Sequence, residues 1–289
     1  MESRKRTAVR IRTKHRAASS GDGETAPTVV VFTSVDGTLL DAHTFSAGPS
    51  GAAIQRLRAA GIPVVPVTVM TLDEMTPVAA ELGLEHAMVV EAGGAIARWT
   101  GGAWEVEACG PPAETLLDVV LHIEDRSGAR LLLYSALPES EAARLSARSG
   151  AMLEASKHRL FSEPFIIESG DMEAVSRAAA ELGFSIRRGR RFLHLCRECD
   201  EGEAFRKIRD ELGADVAVAV GGAAVDAEFL ALADVAIIVP GPDGQPDPAL
   251  RAKLPHARIA PAPGPAGWAA AIEEAVESLT IQNRCAQGA

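Results

Sequence analysis

Val30-Val-Phe-Thr-Ser-Val-Asp-Gly-Thr-Leu-Leu-Asp41 is the stretch that decides the fold. Thr28 to Thr33 is a short β-branched apolar run, which suits a strand buried on both faces of a parallel sheet. The turn Asp36-Gly37-Thr38 follows at once, at the carboxyl end of that strand. Open α/β sheets place their ligand sites there. Working outward, Ser50 to Ala60 has helical spacing through Ile54 and Leu57 and stops at Gly61. Ile62 to Val69 reads as a second strand, Leu72 to Leu82 as a second helix and Ala87 to Val90 as a third strand. This alternation predicts an α/β fold with a doubly wound parallel sheet.

The texture changes after residue 95. Ile96 to Trp99, a Gly101-Gly102 turn and Trp104 to Val106 predict a hairpin. A helix over Ala113 to Asp125 and a mixed segment follow, and residues 109–188 read as a smaller inserted α+β domain. Parallel alternation resumes with a helix (Ala204 to Leu212), a strand (Val216 to Val220), a helix (Glu228 to Ala233) and a strand (Val235 to Val239). A loop rich in proline and glycine covers Pro240 to Pro248. Trp268 to Leu279 closes the fold as a helix, and 283–289 reads as a frayed tail. The core therefore comprises 28–108 and 189–282.

The 289 residues suffice for one large domain or two modest ones, and 47% hydrophobic with only 4% aromatic residues fits small side chains packed between helices and a sheet. No apolar run approaches the roughly 20 residues of a membrane span. No apolar segment follows the basic start as it would in a signal peptide. Four cysteines make no disulfide framework, so a reducing cytoplasm is expected. Cys196-Arg-Glu-Cys199 has no second pair and reads as ordinary thiols. Net charge is −10, yet residues 1–27 hold seven Lys/Arg and three acids, leaving −14 on the body. That leader reads as a solvated, disordered arm, with contact to nucleic acid or another anionic partner as the alternative.

Five segments in order carry a resemblance. They are the Ser34 to Leu40 turn, Val90-Glu-Ala-Gly-Gly-Ala-Ile96, Arg159-Leu-Phe-Ser-Glu-Pro-Phe165, Arg188-Gly-Arg-Arg-Phe-Leu-His194 and Pro263-Gly-Pro-Ala-Gly-Trp268. Together they resemble the haloacid-dehalogenase phosphatase superfamily with a type-2 cap, and within it the mannosyl-3-phosphoglycerate phosphatases. The resemblance covers about residues 28 to 280 and implies a Rossmann-like core with an inserted cap.

It also implies roles. The family's first aspartate attacks phosphorus and its second protonates the leaving oxygen, which is covalent catalysis beside an acid. Ser34 holds the nucleophile position and Asp36 the acid position. Thr68 holds the position of a hydroxyl that bonds the phosphoryl group. The family's phosphate-clamping lysine corresponds to Glu201, within Asp200-Glu-Gly-Glu-Ala204. Magnesium, the family's cofactor, would be held by the Asp36 backbone carbonyl and by Asp226, but the other ligand positions carry Gly222 and Val225, which offer no side-chain oxygen. Arg159, Ser162, Glu163, Arg188 and Arg191 match the segments that face a glycerate-type anion.

The substitutions point away from hydrolysis. Losing a nucleophile alone costs about 10⁴ to 10⁶ in rate. A carboxylate in place of the lysine repels a phosphate by about a few kcal/mol. Asp36, Glu201 and Asp226 together carry the same −3 as the family's four aspartates and lysine, which leaves room for a weakly held cation and disfavours phosphate. The leading expectation is a degenerate phosphatase that binds a sugar phosphate, a glycerate-like anion or a protein partner. The alternatives are a working phosphomonoester hydrolase with Ser34 as nucleophile or water-holder, and a scaffold recruited by the basic arm.

Overall fold

The computed structural model describes residues 28–197 and 201–287, with side chains described up to residue 279. The basic leader and Cys199 lie outside the described residues. The predicted alternation is present: β1 (Val29–Thr33), α1 (Pro49–Ala59), β2 (Val64–Pro66), α2 (Leu72–Leu82) and β3 (Ala87–Val90). β4 (Ala95–Trp99) and β5 (Trp104–Ala108) form the expected hairpin. The inserted unit holds α3 (Ala113–Ser127), β6 (Arg130–Leu133), α4 (Glu139–Ser146), α5 (Gly150–Lys157), β7 (Glu163–Ser169), α6 (Met172–Glu181), β8 (Phe184–Arg188) and β9 (Leu193–Arg197). The chain returns through α7 (Glu201–Leu212), β10 (Val216–Gly221), α8 (Ala227–Leu230), β11 (Val235–Ile238), α9 (Pro248–Lys253), β12 (Arg258–Ile259) and α10 (Gly264–Gln287).

The core sheet runs β12-β11-β10-β1-β2, every pairing parallel, and a single bridge between Val67 and Val89 passes it on to β3. β1 explains its own composition. Val31 packs with Ile54, Leu57 and Ile272 on one face, and Val30 and Phe32 with Phe205 and Ile208 on the other. A strand buried on both faces has no use for polar alternation. The inserted unit is a four-stranded antiparallel sheet, β6-β7-β9-β8, with α3 and α6 packed on it through Leu116, Ile123, Val175 and Phe165.

Three boundaries differ from the sequence reading. The inserted sheet continues past residue 188 to Arg197, because β9 pairs with both β7 and β8. Arg188-Gly-Arg-Arg is thus a hairpin turn within the cap and not its seam with the core. α10 runs through Gln287, since no glycine or proline interrupts Thr280 to Gln287. The tail reading from 283 is corrected to that extent. α9 and β12 sit after the proline-rich loop, where no element was read; Asp247 caps α9 by accepting from the Leu250 N–H at 2.8 Å.

α10 is pressed onto the end of β1. Trp268 is fully buried, and its Nε1 donates to Thr33 Oγ1 at 2.8 Å, one residue before Ser34. A Cβ on Gly267 would run into the Ala262 carbonyl. Gly267→Ala is therefore expected to lower stability by about 1–3 kcal/mol, read as a drop in the urea midpoint. A midpoint equal to that of the native chain would show that the turn has slack.

Candidate functional site

The site forms where β1 and β10 end side by side. The Ser34 N–H donates to Val220 O at 2.8 Å, which fixes the residue next to the end of β10. The Ser34 hydroxyl is buried and lies 3.0 Å from Thr38 Oγ1, which itself donates to Ser34 O at 2.6 Å. Asp226 is buried beside it. Its Oδ2 accepts from both Gly222 N (2.7 Å) and Ala223 N (2.9 Å). Burial pushes the Asp226 carboxyl up to about 6, against the pull of those two N–H groups, the Ser34 hydroxyl and the more distant Arg190 charge. Thr68 is buried at the end of the next strand, and its Oγ1 accepts from Met70 N at 3.1 Å.

The β8–β9 hairpin lowers arginines onto this centre. Arg191 pairs with Asp36 Oδ2 at 2.9 Å and also donates to Ala42 O at 2.6 Å. The Arg190 guanidinium lies on Gly37, where a Cβ would collide with it. Arg187 pairs with Glu201 (3.5 Å) and Glu228 (2.9 Å), so the acid in the lysine position meets a cap cation. The −3 counted on the acids of the centre is thus set against arginines of the cap. That sum omitted the three arginines that the cap brings to the same acids. Arg188, expected to bind substrate, is exposed at the end of β8 and does not line the clefts described below.

Two spaces meet at Arg190. A closed cleft of about 20 Å³, room for about one water, lies between cap and core. Asp36, Arg148, Arg159, Arg191, Tyr134 and His194 line it. Three buried polar atoms on its walls have no partner: Asp36 Oδ1, Arg159 Nε and His194 Nδ1. Burial, together with Arg159 and Arg148, holds His194 well below its ordinary range, so the ring is neutral. On the solvent side a cavity of about 460 Å³ opens between the loop Asp41 to Gly48, Pro240, Pro242 and the start of α10.

The other expected anion-facing residues make hydrogen bonds within the cap and between cap and core. Glu91 is buried on the core side and accepts from Leu160 N, Phe161 N and Ser162 Oγ, the last at 3.0 Å. Arg159 Nη1 donates to Val69 O and Ser162 Oγ, both at 2.9 Å. Glu163 Oε1 accepts from Ser135 N at 3.0 Å within the cap, and burial raises its carboxyl. Phe45 adopts a left-handed backbone (φ 55) between the guanidiniums of Arg148 and Arg191. That conformation costs a bulky residue about 1–2 kcal/mol, so the contact fixes the loop. Glu91, Phe45, Arg148, Arg187 and Arg190 escaped the sequence reading.

The residues do not fit magnesium. Hard divalent ions need several oxygen ligands in near-octahedral array. Asp226 Oδ2 is spent on two N–H groups, Ser34 offers a hydroxyl, and Gly222 offers no side-chain donor. A side chain at Gly222 would press on Thr38 Cγ2 and Val239 O. Asp36 and Glu201 are drawn to separate arginines. Among the described residues no group of three His, Cys, Asp or Glu converges as a metal site. The Cys196 thiol is buried and pushed up by that burial, unlike a reactive thiolate. No described helix is long and apolar enough to cross a membrane.

The fold, a parallel α/β core with an inserted cap, is that of the haloacid-dehalogenase superfamily. The chain is similar to a glucosyl-3-phosphoglycerate/mannosyl-3-phosphoglycerate phosphatase of Persephonella marina, 29% identical over 258 residues that span 83% of this chain and 94% of that protein. A protein of the same description from Methanococcoides burtonii is 25% identical over 266 residues, 86% of this chain and 97% of its own. A haloalkanoate-superfamily phosphatase of Bacteroides thetaiotaomicron shares the fold with a TM-score of 0.66 at 14% identity, over 92% of this chain and all of that one. No protein-family model matches the chain.

Proposed function

We propose that this protein binds a phosphorylated sugar or glycerate-type anion and hydrolyses phosphoesters little or not at all. One juxtaposition carries the reading: cap guanidiniums and unpartnered polar atoms converge on a core loop whose attacking carboxylate is replaced by Ser34. The ligand class is supported by relatives named as phosphatases of glucosyl- and mannosyl-3-phosphoglycerate. The cleft is too small for such a ligand with the cap closed, so binding entails cap opening. A ligand at 100 times its dissociation constant should add about 2.7 kcal/mol of stability in a thermal-shift screen of phosphoglycerates and sugar phosphates. Magnesium-supported turnover of either phosphoglycerate ester at ordinary enzyme rates would sink the reading. Ser34→Asp alone should restore no turnover, because Gly222 and Val225 still lack oxygens.

A second reading rests on Asp226. A buried carboxyl raised to about 6 beside the Ser34 hydroxyl is suited to take its proton as Ser34 Oγ bonds phosphorus and the P–O ester bond breaks, and to pass that proton to the leaving alcohol oxygen before water releases the phosphate from Ser34. This working hydrolase predicts metal-independent phosphoester hydrolysis that disappears in Ser34→Ala. Activity unchanged in that variant would exclude it.

A further inference from the structure

We infer that the centre is a metal-free phosphate site in which Arg190, carried on the cap, supplies the positive charge that a metal ion and a lysine would otherwise provide. The inference rests on the anion-binding reading above and says how the anion is held. It starts from the disagreement between the donor set and magnesium. Each acid at the centre is engaged through at least one carboxylate oxygen: Asp36 Oδ2 by Arg191, Glu201 by Arg187, and Asp226 Oδ2 by two backbone N–H groups. Arg187 and Arg191 are committed by the same pairs, and Arg191 also holds Ala42 O. Those two arginines position the hairpin.

Arg190 differs from both. Arg190 is exposed, no ion pair or hydrogen bond engages its guanidinium among the described residues, and that guanidinium lies over Gly37. A Cβ at residue 37 would displace the guanidinium from this place, and Gly37 has φ 79. From there its charge reaches Asp226 across the centre. It lines both the closed cleft and the 460 Å³ cavity, which has room for a phosphate monoester. A planar guanidinium fork matches two phosphate oxygens, and unlike a metal it needs no carboxylate ligands. In the cleft between cap and core, a phosphate seated against Arg190 would also face the unpartnered Arg159 Nε.

The test is calorimetric titration of the full chain with inorganic phosphate and with 3-phosphoglycerate, once with EDTA and once with excess magnesium. The expected dissociation constants agree between the two buffers within about twofold. Arg190→Gly and Arg190→Gln, both at an exposed turn position, should each weaken binding by about tenfold or more. Arg190→Lys, which keeps the charge and loses the fork, should fall between. Circular dichroism of each variant checks that the fold is intact. Binding that requires magnesium, or that persists unweakened in Arg190→Gly and Arg190→Gln, overturns this inference and leaves the anion-binding reading standing. No binding in either buffer overturns both.

Discussion

Glu74→Ala is expected to destabilise the protein by about 3–5 kcal/mol, read as a loss in the free energy of urea unfolding. Glu74 is the third residue of α2 and is fully buried. One carboxylate oxygen meets Arg148 of the cap, whose side chain is only 8% exposed. The other accepts from Thr71 N at 2.8 Å and lies 3.9 Å from Arg159. The Glu74 N–H donates back to Thr71 Oγ1, completing a reciprocal helix cap. Thr71 Oγ1 in turn donates to Ala155 O of the cap. Alanine removes one cap bond, worth about 1 kcal/mol, and leaves the Arg148 guanidinium buried without its counter-charge. The second loss dominates.

The double variant Glu74→Ala, Arg148→Ala separates the two costs. It should recover part of the lost stability, because the unpaired cation is gone, and should retain the capping loss. Against a total stability of about 5–15 kcal/mol, the single variant removes a large share. A cost under about 1 kcal/mol would mean that Arg148 reaches solvent when Glu74 is absent, and that the cap is not docked as described.

The core was legible because its signals are local. A continuous apolar strand, a glycine stop and a new strand repeat every twenty or so residues, and each can be read without knowing what packs on it. The cap boundary failed for a related reason. Arg188-Gly-Arg-Arg looks like a polar seam, and only pairing with β7, about thirty residues earlier, shows it to be the turn between two strands of one sheet. The site divides in the same way. Ser34, Asp36, Thr68 and Asp226 were found because each sits at a strand end or in its following turn. Arg148, Arg187 and Arg190 meet residues 14 to 153 positions away in sequence, as with Arg187 on Glu201 and Arg190 on Gly37. No periodicity encodes such partners. One signal was nonetheless present: Thr71 and Glu74 at capping-box spacing.

Asp226→Asn is expected to stabilise the protein by up to about 3 kcal/mol at pH 7.5, and to change it little below pH 4. The folded carboxyl titrates at about 6, above its ordinary value of 3.8. The native state therefore binds the proton more tightly than the unfolded chain. Stability from this group is greatest below pH 3.8, falls as pH rises to about 6, and stays at the lower level above it. Asparagine carries no charge and so never meets that penalty. It also keeps the local bonds, because both Gly222 N and Ala223 N donate to the one oxygen Oδ2, which an amide oxygen can replace. Urea unfolding of both chains from pH 4 to 7.5 gives the difference directly. A gap that does not widen with pH, or an asparagine variant that is the weaker at pH 7.5, contradicts the account. The result also bears on the two functional readings. If Asp226 serves Ser34 as a base, Asp226→Asn becomes more stable and loses all hydrolysis. If the site only binds its anion, the same variant becomes more stable and holds phosphate at least as tightly, because a negative charge has left the wall opposite Arg190.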